Sequence, residues 1–281
     1  MKLLEDVEPL RHWREGLGGD VKVGVVPTMG FLHKGHLSLL RIARERVGPS
    51  GQVMLTIFVN PTQFASGEDL DRYPKDREGD LQKARDAGAD VVFMPTTIEA
   101  LYPFGEGAWV DIASLSGGLC GRSRPTHFRG VATVVMKLWG LLRPDVGVFG
   151  EKDFQQLAVI RRMHADFFLG GEVVGGPIVR EADGLAMSSR NAYLTPDDRR
   201  EALRIPSFLG EVRARFASGE RRTERLLAGG AEAVAPGRLD YLEIVDTQTL
   251  EATTDVTQPS VCVIAAQYGE SRLLDNCTLA P

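Results

Sequence analysis

The sequence predicts an α/β fold: a Rossmann-like parallel sheet in an N-terminal domain, followed by a smaller α+β domain. Three observations predict it. From residue 21 to residue 176, short β-branched runs alternate with stretches of helical apolar spacing, the pattern of βαβ units on a parallel sheet. The segments most loaded with Gly, His, Lys and Asn sit where a strand run gives way to a helix, at the carboxyl edge where such sheets bind ligands. Past residue 176 the order becomes helices and then neighbouring strands, as in a small unit with an antiparallel sheet. There is no internal repeat and no low-complexity linker, so the expected domains are 1–176 and 177–281, with the ligand site between them.

Residues 1–15 read as a short helix, stopped by the glycine-rich turn Gly16–Asp20. Val21–Val26 is a first buried strand, and Leu37–Ile42 belongs to the helix that follows. Gln52–Asn60 is a second strand, Asp76–Ala87 a helix and Ala89–Met94 a third strand, with Trp109–Ile112 a candidate fourth. Val131–Leu142 is a helix that must end before Pro144. Val146–Phe149 is a strand that opens, through Gly150–Asp153, into the helix Phe154–Phe168. Glu172–Arg180 is extended and Asp183–Arg190 is a polar turn; Pro196–Phe216 and Thr223–Val234 are helical. Leu239–Val245, Ser260–Tyr268 and Ser271–Asn276 complete the chain as strands.

Composition narrows the function. Of 281 residues, 43% are hydrophobic and 25% charged, the balance of a soluble globular protein. A net charge of −5 and a pI near 5.6 argue against a nucleic-acid partner, which selects a basic surface. No apolar run approaches the roughly 20 residues of a membrane span, and the acidic N-terminus lacks the apolar core of a secretory signal. Cys120, Cys262 and Cys277 are scattered, without zinc spacing or a disulfide framework, as suits a reducing cytoplasm. Neither G-x-G-x-x-G nor G-x-x-x-x-G-K-[ST] occurs, which argues against nicotinamide and flavin Rossmann enzymes and against P-loop NTPases.

The stretch Pro27–His36, Pro-Thr-Met-Gly-Phe-Leu-His-Lys-Gly-His, joins a strand to a helix. A helix N-terminus carries unpaired N–H groups and a partial positive charge, which attract phosphate. Gly30 lets the backbone turn closely under a ligand. His33 and His36 share a helix face, and two imidazoles beside a helix N-terminus suit a nucleotide triphosphate. Asn60–Phe64 lies at the next strand end, where Gln63 offers both a donor and an acceptor to a hydroxyl or carboxylate. In Gly150–Gln156, Lys152 is a compact charge suited to phosphate, Asp153 is a ribose partner or an N-cap, and Gln156 stands one turn along. Arg122–Gly130 holds three arginines and a histidine, as an anion site, an active-site cover or a solvated basic loop. Met187–Arg190 brings Ser188, Ser189 and Arg190 together as a phosphate-binding group or a plain polar turn. Asp80 is a carboxylate for Mg²⁺ on a nucleotide, whose phosphates and water complete the ion's shell, or a solvated helix residue.

In order, Pro27–His36, Phe58–Phe64, Asp69–Pro74, Arg124–Gly130, Gly150–Gln156, Asp183–Tyr193 and Asp240–Asp246 make the chain resemble the pantoate–β-alanine ligase family over nearly its whole length. H-x-G-H alone is shared with other nucleotidylyltransferases and with aminoacyl-tRNA synthetases; the ordered set is specific. The resemblance implies a homodimeric ligase that uses ATP, with Mg²⁺, to join (R)-pantoate to β-alanine, releasing AMP and diphosphate through a pantoyl adenylate. It implies that Met29, Gly30, Phe31, Leu32, His33, Lys34, Gly35, His36, Gly150, Glu151, Lys152, Asp153, Val179, Met187, Ser188, Ser189 and Arg190 contact ATP. It places Gln63 against pantoate and β-alanine, Gln156 against pantoate, and Asn60 and Arg124 in the same substrate region. It gives His36 the part of proton donor, with His33, Lys152, Ser188, Ser189 and Arg190 neutralising charge. Gly79 stands where the family carries an acid before Asp80. The rival readings are an adenylate-forming or nucleotidyl-transferring enzyme with another acceptor, and a non-catalytic nucleotide-binding protein.

Overall fold

The computed structural model describes residues 1–65, 67–105 and 107–281. Six strands, β1 (Lys2–Leu4), β2 (Val23–Thr28), β3 (Gln52–Ile57), β4 (Val91–Phe93), β5 (Val146–Gly150) and β6 (Glu172–Gly176), form a sheet in the order β1-β4-β3-β2-β5-β6. Every neighbouring pair is parallel. The helices are α1 (Val7–Glu15), α2 (Lys34–Val47), α3 (Arg77–Asp86), α4 (Ala113–Ser116), α5 (Cys120–Ser123), α6 (His127–Leu142), α7 (Phe154–Asp166), α8 (Pro196–Ala202), α9 (Arg204–Ala217), α10 (Thr223–Leu226) and α11 (Gly230–Ala233). Among the described residues, no helix is long and apolar enough to cross a membrane.

A parallel sheet needs both faces covered, and alternation along the strands provides it. Val25, Met54, Val91 and Phe93 turn to one side and cluster with Leu10 of α1 and the apolar flanks of α6 and α7. Val26, Val53, Leu55 and Val92 turn to the other, against Leu39, Leu40, Ala43 and Val47 of α2 and Ala84 of α3.

The C-terminal part carries an antiparallel sheet of β7 (Arg238–Asp246), β8 (Ser260–Tyr268) and β9 (Ser271–Leu279), with β8 central. On one face, Tyr241, Val245, Val261, Val263 and Ala265 join the cluster that contains α6 and α7. On the other, Ile244, Cys262, Ile264 and Ala266 pack with Ile205, Phe208, Leu209 and Val212 of α9. The small sheet is therefore continuous with the main core.

Four details differ from the sequence reading. Residues 2–4 form β1 beside β4, not the start of a helix, which begins only after its N-cap Asp6. Trp109–Ile112 is not a strand; Val110 N–H donates to Thr133 Oγ1 at 2.9 Å and Trp109 lies under the Arg129 guanidinium, so its apolar character serves packing on α6. The helical stretch from Pro196 is broken at Leu203, since Pro206 has no N–H to give residue 202 and fits only in the first turn of a new helix. The next splits at Gly229, whose φ of 77° is left-handed.

Candidate active site

The strand order reverses at β2, which has β3 on one side and β5 on the other. Loops leaving adjacent strands in opposite directions open a crevice at their carboxyl ends. A cavity of about 220 Å³ lies there, walled by the segments that follow β2, β3, β5 and β6. Met29, His33, Gly35, His36, Asn60, Gln63, Gly150, Lys152, Asp153, Gln156, Val179, Met187, Ser188, Ser189 and Arg190 all line it. A neighbouring cavity of about 300 Å³ shares Met29, Gln63, Lys152, Asp153, Gln156 and Arg190, and its far wall is the small sheet. Arg124 lines this second space and not the first.

The two histidines begin α2 and cap it reciprocally. His33 is the N-cap, and its Nδ1 accepts from Gly35 N–H at 3.2 Å. His36 Nδ1 accepts from His33 N–H at 3.3 Å. With Nδ1 occupied as an acceptor, each neutral ring carries its proton on Nε2. The rings lie 4.0 Å apart between centroids, and a Cβ on Gly35 would come within 2.9 Å of the His33 ring. The glycine of H-x-G-H thus makes room for the folded-back first histidine. Burial, then the Lys152 ammonium, pulls His33 down to about 4. Burial, then His33 and Lys152, holds His36 well below the ordinary imidazole value. Both are neutral donors at pH 7.

The loop before them is strained and braced. Gly30 has φ +88° and Phe31 φ +51°, the latter an uncommon conformation for a bulky side chain. Asp80, 2% exposed, accepts from Phe31 N–H and Leu32 N–H at 2.7 Å each. It stands behind the loop, on a third space of about 510 Å³, and not on the wall that holds the histidines. Gly30 and Phe31 face that rear space too. Among the described residues, no three His, Cys, Asp or Glu side chains gather as a metal-holding group.

Asn60 and Gln63 act as a unit. Asn60 Nδ2 donates to Gln63 Oε1 and to Gly130 O, both at 3.2 Å, while its Oδ1 accepts from Thr62 Oγ1 and the Tyr102 hydroxyl. This fixes the Gln63 amide with Nε2 outward, 3.0 Å from Met29 Sδ.

The two expected anion-binding arginines are already engaged. Arg190 forks onto Asp69 at 2.9 and 3.0 Å, and Arg124 forks onto Glu68 at 2.5 and 2.7 Å. Burial raises Asp69 and Glu68, but the arginine bonds outweigh it and hold both carboxylates below their usual range. His127, between Arg124 and the Gln63 carbonyl, is brought down to about 4 by burial and by Arg124. Lys152 differs: its nearest carboxylate is Asp153, 3.5 Å away. Ser188 Oγ accepts from Arg190 N–H at 3.3 Å, and Ser189 Oγ donates to Phe31 O at 3.4 Å, tying the 187–190 turn to the histidine loop. Sequence reasoning paired neither Glu68 with Arg124 nor Asp69 with Arg190, and it weighed His127 only as part of the Arg122–Gly130 segment; only contact in space reveals the pairs, since Asp69 and Arg190 are 121 positions apart.

The pantoate–β-alanine ligase family description matches residues 2–278. Pantothenate synthetase of Oleidesulfovibrio alaskensis is 52% identical over 99% of this chain and 100% of its own length. That of Myxococcus xanthus is 49% identical over 99% and 96%. The crystal structure of pantothenate synthetase from Thermus thermophilus superposes with a TM-score of 0.93 at 42% identity, covering both chains fully. The Francisella tularensis pantoate–β-alanine ligase, solved with β,γ-ATP and β-alanine, gives 0.81 at 31% identity over 99% of this chain and 97% of that one. The chain belongs to the pantoate–β-alanine ligase family.

Proposed function

We propose that the switch-point cavity binds ATP and pantoate side by side, so that the pantoate carboxylate attacks the α-phosphorus. The bond from that phosphorus to the β-phosphate oxygen breaks, diphosphate leaves and pantoyl adenylate forms. The amine of β-alanine then attacks the acyl carbonyl, AMP departs, and the amine loses a proton as the amide forms. The observation that carries this is one wall bearing two imidazole Nε2–H donors, Lys152 and the turn Met187–Arg190. Charge grows on the α-phosphoryl oxygens and the leaving group, and preorganised donors in a partly dry site stabilise it. Because His36 is neutral, we assign it a hydrogen-bond role; diphosphate is acidic enough to leave unprotonated.

Gln63, oriented by Asn60, and Gln156 would hold pantoate, with Gln63 also reaching β-alanine. Val179 and Met187 would wall the nucleotide. Arg190 and Arg124, with their carboxylates, would frame the phosphate and carboxylate ends. Mg²⁺ would travel with the triphosphate: Asp153 is a half-exposed carboxylate on the wall, and phosphates and water supply the remaining ligands. That ion adds charge neutralisation. We assign Asp80 to the loop, since both its oxygens already accept backbone N–H groups.

Domains 1–176 and 177–281 suit the break after β6, with the second part closing over the adenylate and keeping water out. A cytoplasmic setting suits three buried free thiols. A homodimer follows from the family resemblance, and light scattering tests it. Mass spectrometry after incubation with ATP, Mg²⁺, pantoate and β-alanine tests the reaction. Pantothenate and AMP, each dependent on both acids, support it; ATP bound but unconsumed refutes it.

A further inference from the structure

β9 reaches from the small sheet into the wall of the site. Asn276, 4% exposed, sends its Nδ2 to the carbonyls of Glu151 at 2.8 Å and Lys152 at 3.0 Å. These carbonyls belong to the single 3₁₀ turn Glu151–Asp153, which has no side-chain cap at its start. The preceding residue holds a second segment of the same wall. Asp275, 3% exposed, accepts from Arg180 at 2.6 and 3.0 Å, and the same guanidinium donates to Gly184 O at 3.1 Å. That contact fixes the segment running from β6 towards Met187–Arg190. Asp275 Oδ1 also accepts the Asn276 N–H at 2.8 Å, so the two residues are locked together.

We propose that Asn276 is a positioning residue for the ligation: it sets the Glu151–Asp153 turn so that Lys152 faces the imidazoles. The proposal rests on the cavity being the nucleotide site. Lys152 is a point charge on a flexible stem, so its aim depends on its own backbone. Both hydrogens of Asn276 Nδ2 are used on the two carbonyls, so its amide nitrogen acts through the Lys152 turn and has no hydrogen left for a substrate. Neither its sequence context nor any motif marks it, because it lies 124 positions from Lys152.

The test compares wild type, Asn276→Ala, Lys152→Met and the double variant, using turnover, ATP affinity by calorimetry and pantoate affinity. A displacement on the order of 1 Å in a positioned group lowers rate by up to about 100-fold, so Asn276→Ala should lose roughly 10- to 100-fold in kcat/KM for ATP. Pantoate affinity should stay within about twofold. In the Lys152→Met background, the same substitution should change kcat/KM by less than about threefold, because residues acting as a unit are not additive. Unchanged kcat/KM for ATP in Asn276→Ala overturns the proposal. So does an undiminished loss in the Lys152→Met background, which marks a general structural role. Should the alanine variant not fold, Asn276→Leu, which keeps the volume and donates nothing, carries the same comparison with the same two overturning results. Wild-type pantothenate formation tests the reading of the cavity separately, and ATP affinity reads Asn276 even if that reaction is absent.

Discussion

Acidification should destabilise this protein through its histidines before the arginine-paired carboxylates Glu68 and Asp69 titrate. His33 and His127 lie at about 4 when folded, and His36 lies well below 6.5, with burial the leading cause in each. A group whose folded pKa is depressed binds fewer protons folded than unfolded, so acid favours the unfolded chain. This stability is complete above about pH 6.5 and is lost as pH falls towards 4. For one imidazole moved from 6.5 to about 4, the loss between pH 7 and pH 5 is about 2 kcal/mol. His33 and His127 together lose about 4 kcal/mol at most, His36 adds in the same direction, and solvent screening of the partly exposed His33 lowers the sum. This is a large share of the roughly 5–15 kcal/mol that holds a domain folded. The depressed carboxylates Glu68 and Asp69 titrate below this interval, whereas burial raises Asp80 above its usual carboxylate value, which opposes the histidine loss as pH falls. Urea unfolding at pH 7 and pH 5 measures the difference for wild type and His127→Gln. Glutamine can still accept from Arg124 and donate to the Gln63 carbonyl, so the variant should show a pH difference smaller by about 2 kcal/mol. An equal difference in both proteins would sink the reasoning, as would a wild type equally stable at the two pH values.

Removing either principal donor should slow the first chemical step. His36→Ala or Lys152→Ala should each lower the rate of diphosphate release by roughly 10²–10³-fold, measured in single turnover; near-normal release excludes the residue from that role. Asp80→Ala leaves two amides of the left-handed loop without their acceptor, at about 1–3 kcal/mol each. Water from the adjoining space keeps the total near about 2–3 kcal/mol, read by urea unfolding, with weaker ATP binding alongside; a change under about 1 kcal/mol with normal turnover refutes the brace. Gly130→Ala would put a Cβ 2.4 Å from Thr62 O and 2.7 Å from Gln63 Cα, so the 61–63 turn must move. The KM for pantoate should rise about tenfold while that for ATP changes little, an order suggested by small misplacements of binding groups; equal effects on both would contradict the assignment of Gln63.

Most of the fold was legible because periodicity reports burial. Val21–Val26 and Gln52–Asn60 are apolar runs because a parallel sheet is covered on both faces, and the helices between them carry one apolar stripe each. The misses have local causes. β1 has three residues, too few to show alternation, and is a strand only because β4 lies beside it. Trp109–Ile112 has strand-like composition and no strand partner. The strand ends that line the cavity were legible as well, since turn residues and polar residues coincide there. His36, Lys152 and Ser189 do face one cavity.

What sequence could not supply was the charge state of the site, because that depends on partners far along the chain. Arg190 and Arg124 read as free cations, yet each is clasped by a carboxylate 121 or 56 positions away. Each fork is nearly neutral as a unit, and each is partly buried, so desolvation offsets much of its attraction. Its worth is therefore geometric: Asp69 holds Arg190 of the 187–190 turn, and Glu68 holds Arg124, which with His127 donates to the carbonyl of Gln63. The histidines are neutral too. The attraction for a polyanion thus comes from Lys152, held less closely by Asp153 at 3.5 Å than the arginines are by their carboxylates, and from the first turn of α2, while the imidazoles contribute direction. Such an arrangement gives up some ground-state affinity for ATP. In the proposed reaction, its donors would nevertheless be fixed in advance where charge increases as the acyl–phosphate bond forms.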